Sequence, residues 1–174
     1  TKDVRSVSTG IIKQSGDEYE NGFYRVRIDS KTGLMRALYD KKNKCEVLSP
    51  CLFITEDPSS WWAEKAGNLL SVSWEKPHSM SAWIIGNVYR VDNIIDAENI
   101  ETSTDGLCTT ISIKRKYMDS EILQKIILYP DFPFIDFENR IDWRQEGNNK
   151  DGVPMVRVNF NLSMKKPDTY FEVP

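Results

Sequence analysis

Histidine is all but missing from this 174-residue chain, which holds only His78. A metal site needs several ligands, and no second histidine or paired cysteine can join it. Neither GxSxG nor a Gly-rich phosphate loop occurs, so the signatures of serine hydrolases and nucleotide binders are absent. Cys45, Cys51 and Cys108 are odd in number and lack CxxC spacing. That argues against a disulfide framework and fits a reduced, cytoplasmic setting. No apolar run is long enough to cross a membrane, and no signal-peptide pattern is seen. Positive charge is not in excess: the net charge of −3 argues against nucleic acid or an anionic membrane as partner. Helical periodicity is nearly absent too, with room only for a short piece around residues 63–66.

What remains is strand pattern. At 40% hydrophobic and 28% charged, the composition is that of an ordinary globular domain long enough to bury a core. Residues 129–143, YPDFPFIDFENRIDW, alternate without a slip after Pro133. Ile135, Phe137, Asn139, Ile141 and Trp143 fall on one side, and Asp136, Glu138, Arg140 and Asp142 on the other. That period of two predicts a strand with one buried face, expected in the middle of a sheet. Residues 23–28 alternate likewise. The cluster 29–33 (DSKTG) then turns the chain, with Gly33 supplying a positive φ. Hairpins follow at 100–117 and 121–129, and 82–95 is rich in Trp, Ile, Val and Tyr. About a dozen short strands predict an all-β sandwich or barrel. Residues 1–20 are polar and aperiodic and read as a lead-in, with the β domain from 21 to 174. The abrupt start and stop are expected of a piece of a longer chain, its domain continuing past Pro174.

Three features carry possible chemistry. Asp136 and Glu138 lie about 7 Å apart on one strand face, within the roughly 5–9 Å that separates glycosidase carboxylates. Cross-strand pairing with Lys125, Arg115 or Arg157 explains the same acids without catalysis. His78 stands in the loop segment 75–82 (EKPHSMSA), as a hydrogen-bonded loop residue or as a base beside an acid such as Glu75 in an epimerase-like site. Trp61 and Trp62 follow Asp57 and a Pro-Ser-Ser stretch, where they could stack on a sugar, pack on another domain or serve the local core. Trp74 and Trp143 sit in strand patterns and are expected in the core.

Residues 20–48 (ENGFYRVRIDSKTGLMRALYDKKNKCEVL), the run EKPHSMSAWIIG and the stretch YPDFPFIDFENRIDW occur in this order. Together they resemble the β-rich C-terminal region of glycoside hydrolase family 38 α-mannosidases. The resemblance spans residues 20–174 and implies a large antiparallel β-sandwich similar to galactose mutarotase (a supersandwich). It also implies a retaining, metal-dependent parent enzyme acting on mannose-containing oligosaccharides. Its divalent metal, usually zinc, and its catalytic aspartates would belong to an N-terminal α/β catalytic domain. No segment here matches the family's His-Asp metal motifs, so no catalytic or metal residue carries over and this chain alone is expected to be inactive. Where the family often has an aspartate-rich WDAWD-like loop, residues 78–83 read HSMSAW. Asp57, Trp61, Trp62, His78 and Trp83 are therefore the candidates for a surface facing the catalytic domain and its substrate cleft. The alternative is a free-standing carbohydrate-binding module that uses the tryptophans.

Overall fold

The structure, a computed structural model, describes residues 10–54, 61–81 and 83–164, without the side chains of 51–54 and 61–63. No helix occurs among the described residues. In chain order they are β1 (Lys13–Ser15), β2 (Glu18–Glu20), β3 (Tyr24–Ile28), β4 (Met35–Asp40), β5 (Cys45–Glu46), β6 (Pro50–Ile54) and β7 (Trp61–Lys65). Then come β8 (Gly67–Glu75), β9 (Val88–Ile94), β10 (Asn99–Thr104), β11 (Thr109–Tyr117), β12 (Ser120–Leu128), β13 (Ile135–Asp142) and β14 (Val153–Phe160).

All pairings are antiparallel. The first sheet runs β1-β2-β3-β4-β8-β14, with β5 on β4 and β9 on β8, and the second runs β10-β11-β12-β13. β6 and β7 form a separate hairpin. The two larger sheets face each other as a sandwich. Val26, Ile28 and Met35 of the first meet Ile111, Ile113, Ile126 and Leu128 of the second. Leu70, Val72 and Trp74 of β8 meet Ile122 of β12. Burying each such side chain contributes about 1.5–3 kcal/mol.

Local chemistry sets the turns. Asp29 Oδ1 accepts the N–H groups of Lys31 and Thr32 at 2.9 and 2.8 Å. Gly33 closes that turn at φ 66°, as the sequence predicts. A Cβ on Gly33 would lie 2.8 Å from Ile113 of the opposite sheet, so the position needs both the backbone freedom and the space. Asn21 caps the start of β3 through the N–H groups of Phe23 and Tyr24, and donates across the sandwich to the Tyr129 carbonyl at 2.7 Å.

Several expectations need correction. β13 pairs only with β12 among the described strands, so the best-patterned strand is an edge, not the middle. Its apolar side is accordingly half-buried. Alternation reports that a strand has two different faces; it carries no information about how many neighbours the strand has. Arg115 does not join the charged face, because it points into the sandwich and is fully buried. There it donates to Gln124 Oε1 and the Ile95 carbonyl, each at 2.6 Å, and Gln124 donates to the Asn68 carbonyl at 3.2 Å. Burial pushes the Arg115 guanidinium down to about 10, opposed by Asp96, so it stays charged at neutral pH. Residues 63–66 are not helical: pairing with β6 overrides the helix propensity of Ala63-Glu64-Lys65-Ala66. Within the lead-in, β1 and β2 form a hairpin on the edge of the first sheet. The run 82–95 becomes strand only at Val88.

Gly33→Ala is expected to lower the unfolding free energy by about 2–4 kcal/mol, from left-handed strain plus overpacking. The urea midpoint should fall with the slope unchanged.

A buried carboxylate clasp beneath an exposed apolar loop

β8 carries its nine residues buried from end to end and delivers Glu75 to the mouth of loop 76–87 with only 3% of its surface exposed. Glu75 Oε2 accepts the Gly86 N–H at 2.6 Å, which joins the two ends of the loop. His78 Nε2 faces Glu75 Oε1 at 3.6 Å, while Nδ1 accepts the Met80 N–H at 3.2 Å. An accepting Nδ1 places the neutral ring's proton on Nε2, toward the carboxylate. The 3.6 Å gap is too long for a hydrogen bond, and Glu75 Oε1 is left without a hydrogen-bond partner among the described residues. Gly86 lets the His78 ring lie close, since a Cβ there would fall 2.6 Å from it and the ring would have to shift. The Gly86 N–H holds the Glu75 carboxyl below its usual range against the opposing effect of burial, with the Ser81 hydroxyl and His78 adding to the effect.

Above this clasp the chain turns tightly. The N–H groups of Trp83 and Ile84 reach the Met80 carbonyl at 2.8 and 3.0 Å. The turn holds out four apolar side chains: Met80 at 45% exposed, Trp83 at 83%, and Ile84 and Ile85 each more than half exposed. Large apolar groups gathered on one loop mark a contact surface rather than a chance exposure. Among the sequence candidates, His78 and Trp83 share this loop, one in its base and one at its tip. Asp57 lies outside the described residues, as do the side chains of Trp61 and Trp62. Their backbone starts β7, which feeds the opposite end of β8, about 26 Å along that strand from Glu75.

The carboxylates of β13 are spoken for. Asp136 accepts the Tyr129 hydroxyl at 2.7 Å, and Glu138 lies 3.7 Å from Lys125 Nζ, its register partner on β12. The bond to Asp136, with some burial, pushes the Tyr129 phenol up to about 12. Both acids are exposed. Among the described residues no group of three or more His, Cys, Asp or Glu side chains could hold a metal ion. The described residues do not fit a divalent metal.

Sequence reasoning missed Ile84 and Ile85, which lie just past the 78–83 segment it singled out. Their signal was the unalternating Trp83-Ile84-Ile85 before Gly86-Asn87, which a half-buried strand would not carry. It also missed the polar knot under β9. Trp74 Nε1 donates to Asp92 Oδ2 at 3.2 Å and to the Tyr117 hydroxyl at 3.0 Å, and that hydroxyl donates to Asp92 at 2.5 Å. Arg90 adds an ion pair to Asp92 at 2.6 Å. Burial, reinforced by the bond to Asp92, pushes the Tyr117 phenol up to about 12. The knot fixes β9, and with it the C-terminal end of the loop, against the second sheet.

The lowered Glu75 carboxyl sets the sign of the pH response. Its contribution is complete above the ordinary value of 4.5 and is lost as pH falls through the lower folded value. The protection factor of the Gly86 N–H, which is the exchange rate relative to an unstructured amide at the same pH, is therefore expected to hold from pH 7 to about 5 and to fall in more acid solution. In Glu75→Gln that acid step should vanish.

Residues 19–174 match the family model for the C-terminal domain of the glycosyl hydrolases of family 38. No curated protein matches the chain. The matched span takes in the second sheet, the first sheet from Tyr19 of β2 onward, the clasp and the loop, and the chain belongs to glycosyl hydrolase family 38 as its C-terminal domain.

Proposed function

We propose that this chain is the non-catalytic β domain of a metal-dependent retaining α-mannosidase, and that loop 76–87 docks on the N-terminal catalytic domain beside the cleft for mannose-containing glycans. The observation that carries the reading is the pairing of an exposed apolar tip with a pinned base. Met80, Trp83, Ile84 and Ile85 stand in solvent while buried Glu75 holds the loop closed beneath them. Such a loop is organised before it meets a partner, so little conformational entropy is lost on docking.

Family membership supports a hydrolase acting on glycosidic bonds and a catalytic domain preceding this one. In this reading the reacting carboxylates and the zinc-type metal belong to that domain, the enzyme works in the cytoplasm, and this domain orders one wall of the cleft. Mispositioning a wall by an ångström is enough to slow catalysis strongly.

A second reading, a carbohydrate-binding module, draws on the same Trp83 ring, which is free to stack on a sugar. In it, mannose oligomers would quench tryptophan fluorescence in the isolated chain and lose the effect in Trp83→Ala.

The deciding experiment is α-mannosidase kinetics on the full-length protein carrying Trp83→Ala or Trp62→Ala. A fall in kcat/KM of about tenfold or more is expected for Trp83→Ala, corresponding to the loss of one desolvated aromatic anchor. Unchanged kcat/KM in both variants, with folding intact, would overturn the docking role.

A further inference from the structure

The outer face of β2, β3 and β4 forms, with the end of β7, a groove of about 630 Å³. Its floor follows from strand alternation. Val26 and Ile28 point into the core, so Arg25 and Arg27 point out, opposite Tyr39 and Ala37 in register. Ala37 is short and leaves a trough between larger neighbours. The Arg25 guanidinium lies over the Tyr39 ring at 5.2 Å, which fixes it to the floor.

One wall is organised in advance. Arg36 bridges Glu64 at 2.7 Å and Asp29 at 3.6 Å, and donates to the Lys65 carbonyl at 3.1 Å. Lys65 pairs with Glu46 at 3.1 Å, and Glu46 also accepts the Leu38 and Leu48 N–H groups. Across the groove, Arg27 and Glu18 have no side-chain hydrogen bond or ion pair among the described residues, and Arg25 has its ring contact and the charge of nearby Glu20. The site thus sets committed groups on one side against uncommitted donors and acceptors on the other.

Charge selects the ligand class. Four cations and five carboxylates line the groove with their signs interleaved, so a polyanion meets as much repulsion as attraction. A neutral molecule bearing many hydroxyls does not. Guanidinium and carboxylate groups each present paired donors or acceptors, which suit adjacent hydroxyls on a sugar ring. The volume also falls within the usual range for small-molecule sites, about 300–1,000 Å³.

We propose that the groove over Ala37 is a glycan-binding site that takes an uncharged oligosaccharide between Arg27 and Glu18 on one side and the Arg36–Glu64 wall on the other. It relies on family membership for the glycan class, and does not depend on loop 76–87 facing a catalytic domain.

The test is calorimetric titration of the full-length protein with a neutral mannose oligosaccharide, a sulfated oligosaccharide and inorganic phosphate. Saturable binding of the neutral sugar is expected, weakened about tenfold or more in Arg27→Ala. Ala37→Trp, which fills the trough, should weaken it equally, with melting midpoints within a few degrees of the parent confirming the fold. Trp83→Ala should leave this binding step unchanged whatever it does to kcat/KM, which separates the groove from the docking loop. No binding of the neutral sugar, binding that survives both groove variants, or preference for the sulfated ligand or phosphate would overturn the proposal.

Discussion

Strand β8 is buried on both faces along its whole length, and the rest of the domain is arranged to make that possible. Toward the second sheet it sends Leu70, Val72 and Trp74, which need apolar partners. Outward it sends Leu69, Ser71, Ser73 and Glu75, mostly polar, which need hydrogen bonds or cover. Strands β9 and β14 flank it and satisfy its backbone. Small serines let their side chains close over the outer face, and Asn159 of β14 donates to the Leu69 carbonyl and the Ser71 hydroxyl. A strand held in this way can place a carboxylate at its end with little freedom to move, as loop 76–87 requires.

The same economy links fold to surface elsewhere. Arg115 and Gln124 tie the second sheet to the backbone of β8 at Asn68, while Trp74, Asp92 and Tyr117 tie β8 and β9 to β11. Between these two polar links the sheets have little scope to slide. The features exposed to partners, the apolar loop tip and the charged groove on β3 and β4, sit on backbone that is already fixed. Recognition surfaces on a rigid scaffold lose less entropy on binding than mobile ones.

Much of this was legible in residue order. Alternation located β3 and β11 to β13, and Gly33 announced its positive φ through the turn chemistry around it. Trp74 was placed in the core by its strand setting. What was hidden is non-local. That β13 is an edge depends on the presence of a neighbour, which its own pattern does not encode. Arg115 reads as a surface charge until Gln124 and the Ile95 carbonyl are seen to receive it. Glu75 follows a serine-interrupted run, so its burial is invisible without β9, β14 and the returning Gly86. Of the candidate residues, His78 was recognised as a loop histidine near an acid, but only geometry shows its Nδ1 accepting the Met80 N–H. Trp83 was singled out for its ring, whereas its context, a turn bringing Met80, Ile84 and Ile85 to the same tip, needed coordinates.

Docking of loop 76–87 can be tested with two methionines of nearly equal exposure. Met80 at the loop tip is 45% exposed and Met118 in the β11–β12 turn is 49% exposed. Both carry the same thioether, so their oxidation rates should match unless something covers one of them. In oxidative footprinting of the full-length protein, Met80 is expected to react several-fold more slowly than Met118, with Trp83 protected alongside it. Equal rates for the two methionines, with Trp83 oxidised as a free surface ring, would contradict the docked loop.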